Sequence, residues 1–146
     1  MKCKLINEDN QRTWMLVFQT GDEVAEGLLQ FARKKELAAS QLSAIGAFSE
    51  VDLGYFDPEK REYEKIPIRE QTEVLSLLGD ITLGDHAPKI HAHVVLGKRN
   101  GTAWGGHLLR GIVWPTLEVI ITESPLHLRR KHDSRTKLAL IDPELA

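Results

Sequence analysis

Apolar residues along this chain fall mostly into short runs and alternations, with one stretch at helical spacing. Trp14-Met15-Leu16-Val17-Phe18 is a continuous apolar run, which predicts a strand buried on both faces. Gly21-Asp22 interrupts it, and Asp22 has the residue type of a helix N-cap. Val24, Leu28, Phe31 and Ala32 then recur at helical spacing, while Glu23, Glu26, Arg33 and Lys34 fall largely elsewhere. This predicts one amphipathic helix, with Lys34-Lys35 suited to its negative C-terminal end.

From there the pattern is β. Gln41–Phe48 and Val51–Phe56 alternate as two strands, and Asp57-Pro58-Glu59-Lys60 reads as a turn into a return strand, Arg61–Ile68. Thr72–Leu83 is too long for one flat strand, so Gly79-Asp80 is expected to mark a bulge or bend. Ile90–Leu96, Ala103–Leu109 and Leu117–Thr122 predict three more strands, and Lys137–Ile141 in the tail a last one. Seven or eight strands with one principal helix argue an α+β fold with a mainly antiparallel sheet, because parallel strands would need helices between them. The absence of any repeat or linker makes 1–146 one domain, with its core at about 14–123 and a C-terminal tail at 124–146.

Composition narrows the function classes. At 146 residues, with 42% hydrophobic and 27% charged positions, the chain can bury an adequate core without a metal or disulfide. Its 19 basic and 21 acidic side chains leave a net charge of −2, which disfavours sequence-independent DNA binding. The single cysteine, Cys3, excludes an internal disulfide and a cysteine-based zinc knuckle, and is a weak nucleophile candidate. No apolar run nears the ~20 residues of a membrane span. The polar stretch Met1–Asn10 is unlike a signal peptide, so a cytoplasmic protein without a membrane partner is expected.

The sharpest chemical signal is His91-Ala92-His93. On a strand these two imidazoles project from one face, while Ile90, Ala92, Val94 and Leu96 fill the other. A third ligand from a neighbouring strand would complete a metal site, and His107 is the candidate. Arg99-Asn100-Gly101-Thr102 reads as a hairpin. A strict two-residue turn puts His107 opposite Val94, on the wrong face. A three-residue loop, with Gly101 left-handed in a bulge, puts it opposite His93. A bulge at Gly105-Gly106 would rescue the first register. Three histidines suit zinc with an open fourth position, and nickel, copper or iron also accept imidazole. Glu118 reads as either a base or outer acceptor near this pair, or a solvated strand position. His86 reads as a loop residue, and His127-Leu128-Arg129-Arg130-Lys131-His132 as a solvated charge run that is also the one patch suited to phosphate.

Three stretches resemble the plants-and-prokaryotes conserved (PPC) domain family: Ser43–Phe48 running into Val51–Phe56, His91–Leu96, and Gly105–Leu109 followed by Glu118 and Thr122-Glu123. The likeness spans about Trp14 to Glu123. It implies an α+β domain that assembles as a trimer, and it matches His91, His93 and His107 to a three-histidine constellation that binds metal in some prokaryotic members. In plants the domain follows AT-hook motifs. No Arg-Gly-Arg-Pro core occurs here, and Arg110-Gly111 leads instead into Ile112-Val113. The leading reading is therefore a homotrimer with a three-histidine divalent-metal site near a subunit interface, acting on an unidentified small molecule by metal-assisted chemistry. The alternative is a DNA-binding or transcription-associated assembly module, as the family label suggests.

Overall fold

A computed structural model describes residues 2–7, 11–85, 87–125 and 127–145, with side chains described from residue 11 onward. His86 and the Cys3 side chain lie outside these. In chain order the elements are β1 (Lys2–Asn7), β2 (Arg12–Gln19), α1 (Val24–Lys35), β3 (Ala39–Asp57), β4 (Glu62–Ile68), β5 (Thr72–Leu83), β6 (Pro88–Gly97), β7 (Ala103–Glu123), β8 (Arg129–His132) and β9 (Ala139–Asp142). The fold is α+β. All strand pairings among the described residues are antiparallel except a short parallel contact of β5 with β8.

Two very long strands organise the sheet. The N-terminal half of β3 pairs with β5, and β5 with β6. β6 pairs with the start of β7, and β7 returns along β3 over both halves of each strand. The hydrogen-bonded circuit β3–β5–β6–β7–β3 thus closes on itself. Register shifts along β3 and β7 between Gly46 and Leu53 bend these strands through the closure. β4 extends the C-terminal half of β3, while β2 and β1 extend the C-terminal half of β7.

Helix α1 buries Val24, Leu28, Phe31 and Ala32, the stripe expected from their spacing, against the inner face of β6 and β7. Trp14 meets Phe31 edge-on at 5.7 Å. The helix is capped by Glu23, whose carboxylate accepts from the Ala25 and Glu26 amides. Asp22, the residue expected there, instead accepts from the Gln19 amide and holds the preceding turn.

Several other expectations are corrected. The run Trp14–Phe18 is not buried on both faces: Trp14, Leu16 and Phe18 are buried, but Met15 and Val17 are only partly covered. Helix α1 covers one side alone. The strands expected at 41–48 and 51–56 are one continuous β3, and those at 103–109 and 117–122 are one β7. Glu123 stitches the end of β7 to the start of β3, accepting from the Ala38 and Ala39 amides and the Ser40 hydroxyl. The irregularity in β5 lies at Leu75, between Val74 and Ser76, not at Gly79-Asp80. The basic run 127–132 is not a free tail, because its last four residues are β8, paired with β9, and Arg130 is buried.

Gly79 has a different role from a bend. A Cβ there would stand 2.4 Å from the His91 carbonyl oxygen and 2.9 Å from Ala92 Cβ. The absence of a side chain lets β6 lie close on β5 where the histidines begin. Gly79→Ala is expected to destabilise the protein by about 1–3 kcal/mol, the usual cost of overpacking. Chemical denaturation reads it, and unchanged stability would show that β6 can yield without cost.

Candidate metal centre

The site is built by strand parity and one turn. On β6, Ala92, Val94 and Leu96 are buried, His91 is half-buried and His93 is exposed. The alternating pattern of the strand therefore turns both histidines outward. The Lys98 amide donates to the Thr102 carbonyl and the Gly101 amide to the Lys98 carbonyl, each at 2.9 Å. Gly101 has φ +83, a conformation glycine adopts at little cost. Asn100 Oδ1 fastens the loop by accepting from the Thr102 amide at 3.0 Å. The loop is thus three residues long, 99–101, and His93 lies directly opposite His107.

The three rings converge. His91 Nε2 and His93 Nε2 are 3.1 Å apart. Ring centroids are 5.0 Å apart for His91–His93 and 5.4 Å for each of these with His107. One nitrogen from each ring lies within 4.8 Å of the others, and this is the one such group of metal-ligand types among the described residues. Tyr63 on β4 stacks on the His107 ring at 4.6 Å. A groove of about 420 Å³ between α1 and β6, lined in part by Leu28, Lys89, Ile90 and Leu109, reaches His107.

Burial and neighbouring charge lower the proton affinity of two of the three rings. Burial pushes the His107 imidazole down to about 4, and the neighbouring His91, His93 and Lys89 push in the same direction. His93 is also lowered, by burial and then by His91. His107 Nδ1 is buried with no hydrogen-bond partner, a deficit that normally needs an explanation such as an ion or a water. Neutral imidazoles with free lone pairs suit a divalent ion of zinc type, which three protein nitrogens hold with a fourth position open. The residues present therefore fit such an ion.

Other sequence candidates fall elsewhere. Glu118 lies on the C-terminal half of β7, exposed and paired with Ile45 and Val17. β3 and β5 separate it from β6, so it stands three strand steps along the sheet from the histidines' strand. It is surrounded by Met15, Ile45, Leu78 and Ile120. His127 and His132 are exposed on the C-terminal segment. Two residues near the site escaped the sequence reading. Tyr63 is one. The other is Asp80, which lies opposite His91 with Oδ2 3.4 Å from Nδ1. The Gly84 amide donates to the Ala87 carbonyl, and a ladder continued from that bond pairs Asp80 with His91.

Known proteins agree with this architecture. The Plants and Prokaryotes Conserved (PCC) domain matches residues 6–125. A plant- and prokaryote-conserved (PPC) protein of Pyrococcus horikoshii is 33% identical, with 90% of this chain and 91% of that one covered at a TM-score of 0.84. A metal-containing protein of Archaeoglobus fulgidus is 32% identical, with coverage of 97% and 96% and a TM-score of 0.83. A Ralstonia eutropha protein described as a candidate DNA-binding protein is 27% identical, with coverage of 88% and 90% and a TM-score of 0.82. Among curated sequences, the bifunctional protein GlmU of a Synechococcus strain is 30% identical over 115 residues. That is 77% of this chain, which spans only 17% of the length of that relative.

The depressed His107 predicts a pH response in the metal-free protein. The unfolded chain takes up a proton near the ordinary histidine value of 6.5, whereas the folded one resists until about 4. The unfolded state then binds more protons across this window, so the stability contribution is full above 6.5 and is lost as pH falls towards 4. Imidazole NMR should place the His107 midpoint near 4. A midpoint near 6.5 would mean that the ring is solvated.

Proposed function

The chain belongs to the Plants and Prokaryotes Conserved (PCC) domain family, and from that membership and the histidine geometry we propose a homotrimeric metal-binding protein in which His91, His93 and His107 hold one divalent ion, zinc, near a subunit interface. The observation that carries the reading is the convergence of three imidazoles, two of them with lowered proton affinity, on one outward face. The metal-containing Archaeoglobus relative supports it. Nickel, copper and iron share the preference for imidazole, so the ion's identity rests on the three-nitrogen set and its open position. When bound, such an ion supplies Lewis acidity at that position. The groove that reaches His107 would give a small molecule access to such an ion, which favours a small-molecule ligand and metal-assisted chemistry. Glu118 would enter that chemistry only from another subunit. A reducing cytoplasm suits the lone cysteine.

Association is argued from the outer face. Ile45 is 61% exposed, Leu78 61%, Leu75 56%, Val95 44% and Ile120 40%. They lie on adjacent strands, with Leu78 directly opposite His93. A contiguous apolar patch of this kind marks an interaction surface, and copies of the chain that cover it would place the histidines at the rim. The alternative is DNA binding, from the description of the Ralstonia relative. Against it stand the net charge of −2 and the engagement of Arg130 with Asp80.

Zinc titration of the untagged protein tests the site. One ion per chain is expected. His107→Ala should weaken binding by more than the roughly 100-fold that loss of an outer-shell partner can cost, and His132→Ala should leave it unchanged. Equal affinity in wild type and His107→Ala overturns the three-histidine site. Separately, light scattering should give a mass near 50 kDa, three times the 16.5 kDa chain, and Leu78→Lys should lower it. A wild-type mass near 16.5 kDa overturns the trimer. A nanomolar, base-dependent complex with duplex DNA at physiological salt would favour the alternative instead.

A further inference from the structure

We propose that Asp80 and Arg130 are positioning residues of the histidine centre: Arg130, from the C-terminal hairpin, holds the Asp80 carboxylate against Nδ1 of His91 and so leaves Nε2 of that ring free to ligate. The proposal deepens the metal-binding reading and rests on it. Arg130 lies beyond the residues 6–125 matched by the family.

The geometry runs in one line from the hairpin to the site. Arg130 is 6% exposed at its side chain, and each guanidinium nitrogen is engaged. Nε donates to Thr82 Oγ1 at 2.6 Å, Nη1 to the Ala139 carbonyl at 2.8 Å and Nη2 to Asp80 Oδ1 at 2.5 Å. The other carboxylate oxygen, Oδ2, is 3.4 Å from His91 Nδ1. On the opposite edge of the same ring, Nε2 faces His93 Nε2 at 3.1 Å. Asp80 is the one carboxylate recorded within ion-pair distance of the three histidines among the described residues.

Chemistry supplies the role. An ionised carboxylate only accepts hydrogen bonds, so the imidazole nitrogen facing it must carry the hydrogen. That selects the tautomer with Nδ1–H and a lone pair on Nε2, the arrangement in which a ligating histidine donates its other N–H to a carboxylate. The 3.4 Å contact is loose, and a cation held at Nε2 would polarise Nδ1–H and strengthen the contact. A buried Arg–Asp pair is weak evidence of a stability device, because apolar residues of the same volume often serve a core as well. What apolar residues cannot do is present a fixed acceptor to His91. The fully engaged fork also prevents Asp80 from turning away.

Asp80→Asn provides an isosteric test. Arg130 has only donors and claims the amide oxygen, which leaves the amide NH2 facing Nδ1. Nδ1 must then accept, and the hydrogen moves to Nε2. Long-range proton–nitrogen NMR of the metal-free protein at pH 8 should show His91 as Nδ1–H in wild type and as Nε2–H in Asp80→Asn. Zinc affinity should fall by about 10–100-fold. Arg130→Gln should produce part of that loss, while Arg135→Gln, an exposed arginine on the same hairpin, should produce none. A purely structural staple would lower the melting temperature and leave the tautomer alone. The proposal is overturned if wild-type His91 carries its hydrogen on Nε2, or if Asp80→Asn keeps the wild-type tautomer and zinc affinity. If the wild type binds no zinc, the metal reading falls, and the tautomer measurement still decides whether Asp80 orients the ring.

Discussion

The parity of one antiparallel register governs both the core and the site. Because side chains on a strand alternate with period two, a shift of one residue exchanges the two faces. With the loop at 99–101 and Gly101 left-handed, Leu108 of β7 turns into the core and His107 turns outward beside His93. One residue fewer would bury the imidazole among apolar side chains and expose Leu108 to water. The hydrophobic effect therefore enforces the metal-site geometry without any metal. The core pattern of Ala92, Val94, Leu96 and Leu108 penalises every one-residue slip, the kind that would turn His107 away from the other two histidines.

The long-range contacts then hold this register against bending. β3 and β7 run together for most of their length, yet slip at several points to close the circuit, and slips leave backbone groups in need of partners. Two buried carboxylates brace the same strands away from the backbone ladder itself. Glu123 supplies acceptors where β3 begins, and Asp52, nearly inaccessible, is paired with both Lys65 and Arg69. Removing Glu123 would strand buried donors, which costs more than an intact bond contributes, whereas Lys65 and Arg69 are about half-exposed and water would take the place of Asp52 on them.

What was legible in the sequence was what depends on neighbours along the chain. The helix was written in the spacing of Val24, Leu28, Phe31 and Ala32, and the shared face of His91 and His93 in their separation by two. The choice between turn lengths was also local, and glycine at 101 has the residue type that the longer loop requires. What was not legible depends on partners far away. Arg130 looked like part of a solvated charge run because its counter-charge, Asp80, lies fifty residues earlier. The outer side of Trp14–Phe18 looked buried because an apolar sequence does not say whether a second layer covers it. Asp22 and Glu23 are both acceptable capping types, and the contest was settled by Glu23 also reaching the Gly111 amide on β7. The two long strands read as four because their bends carry the residue types of loops.

Placing three imidazoles this close has a chemical consequence that precedes any ligand. Each proton added to the cluster meets the charge of the others and the low polarity around His107, so protonation is opposed by both burial and repulsion. Ligation by histidine requires the neutral ring, and the lowered proton affinity of His93 and His107 favours that form in two of the three rings. Burial thus does two things at once: it removes the competing proton, and it leaves His107 Nδ1 without a partner. Lone pairs at a few ångströms, with two of the rings resisting protonation, would suit a cation with directed, multiple coordination. That fit is local to the rings, so it does not depend on the chain's small net charge.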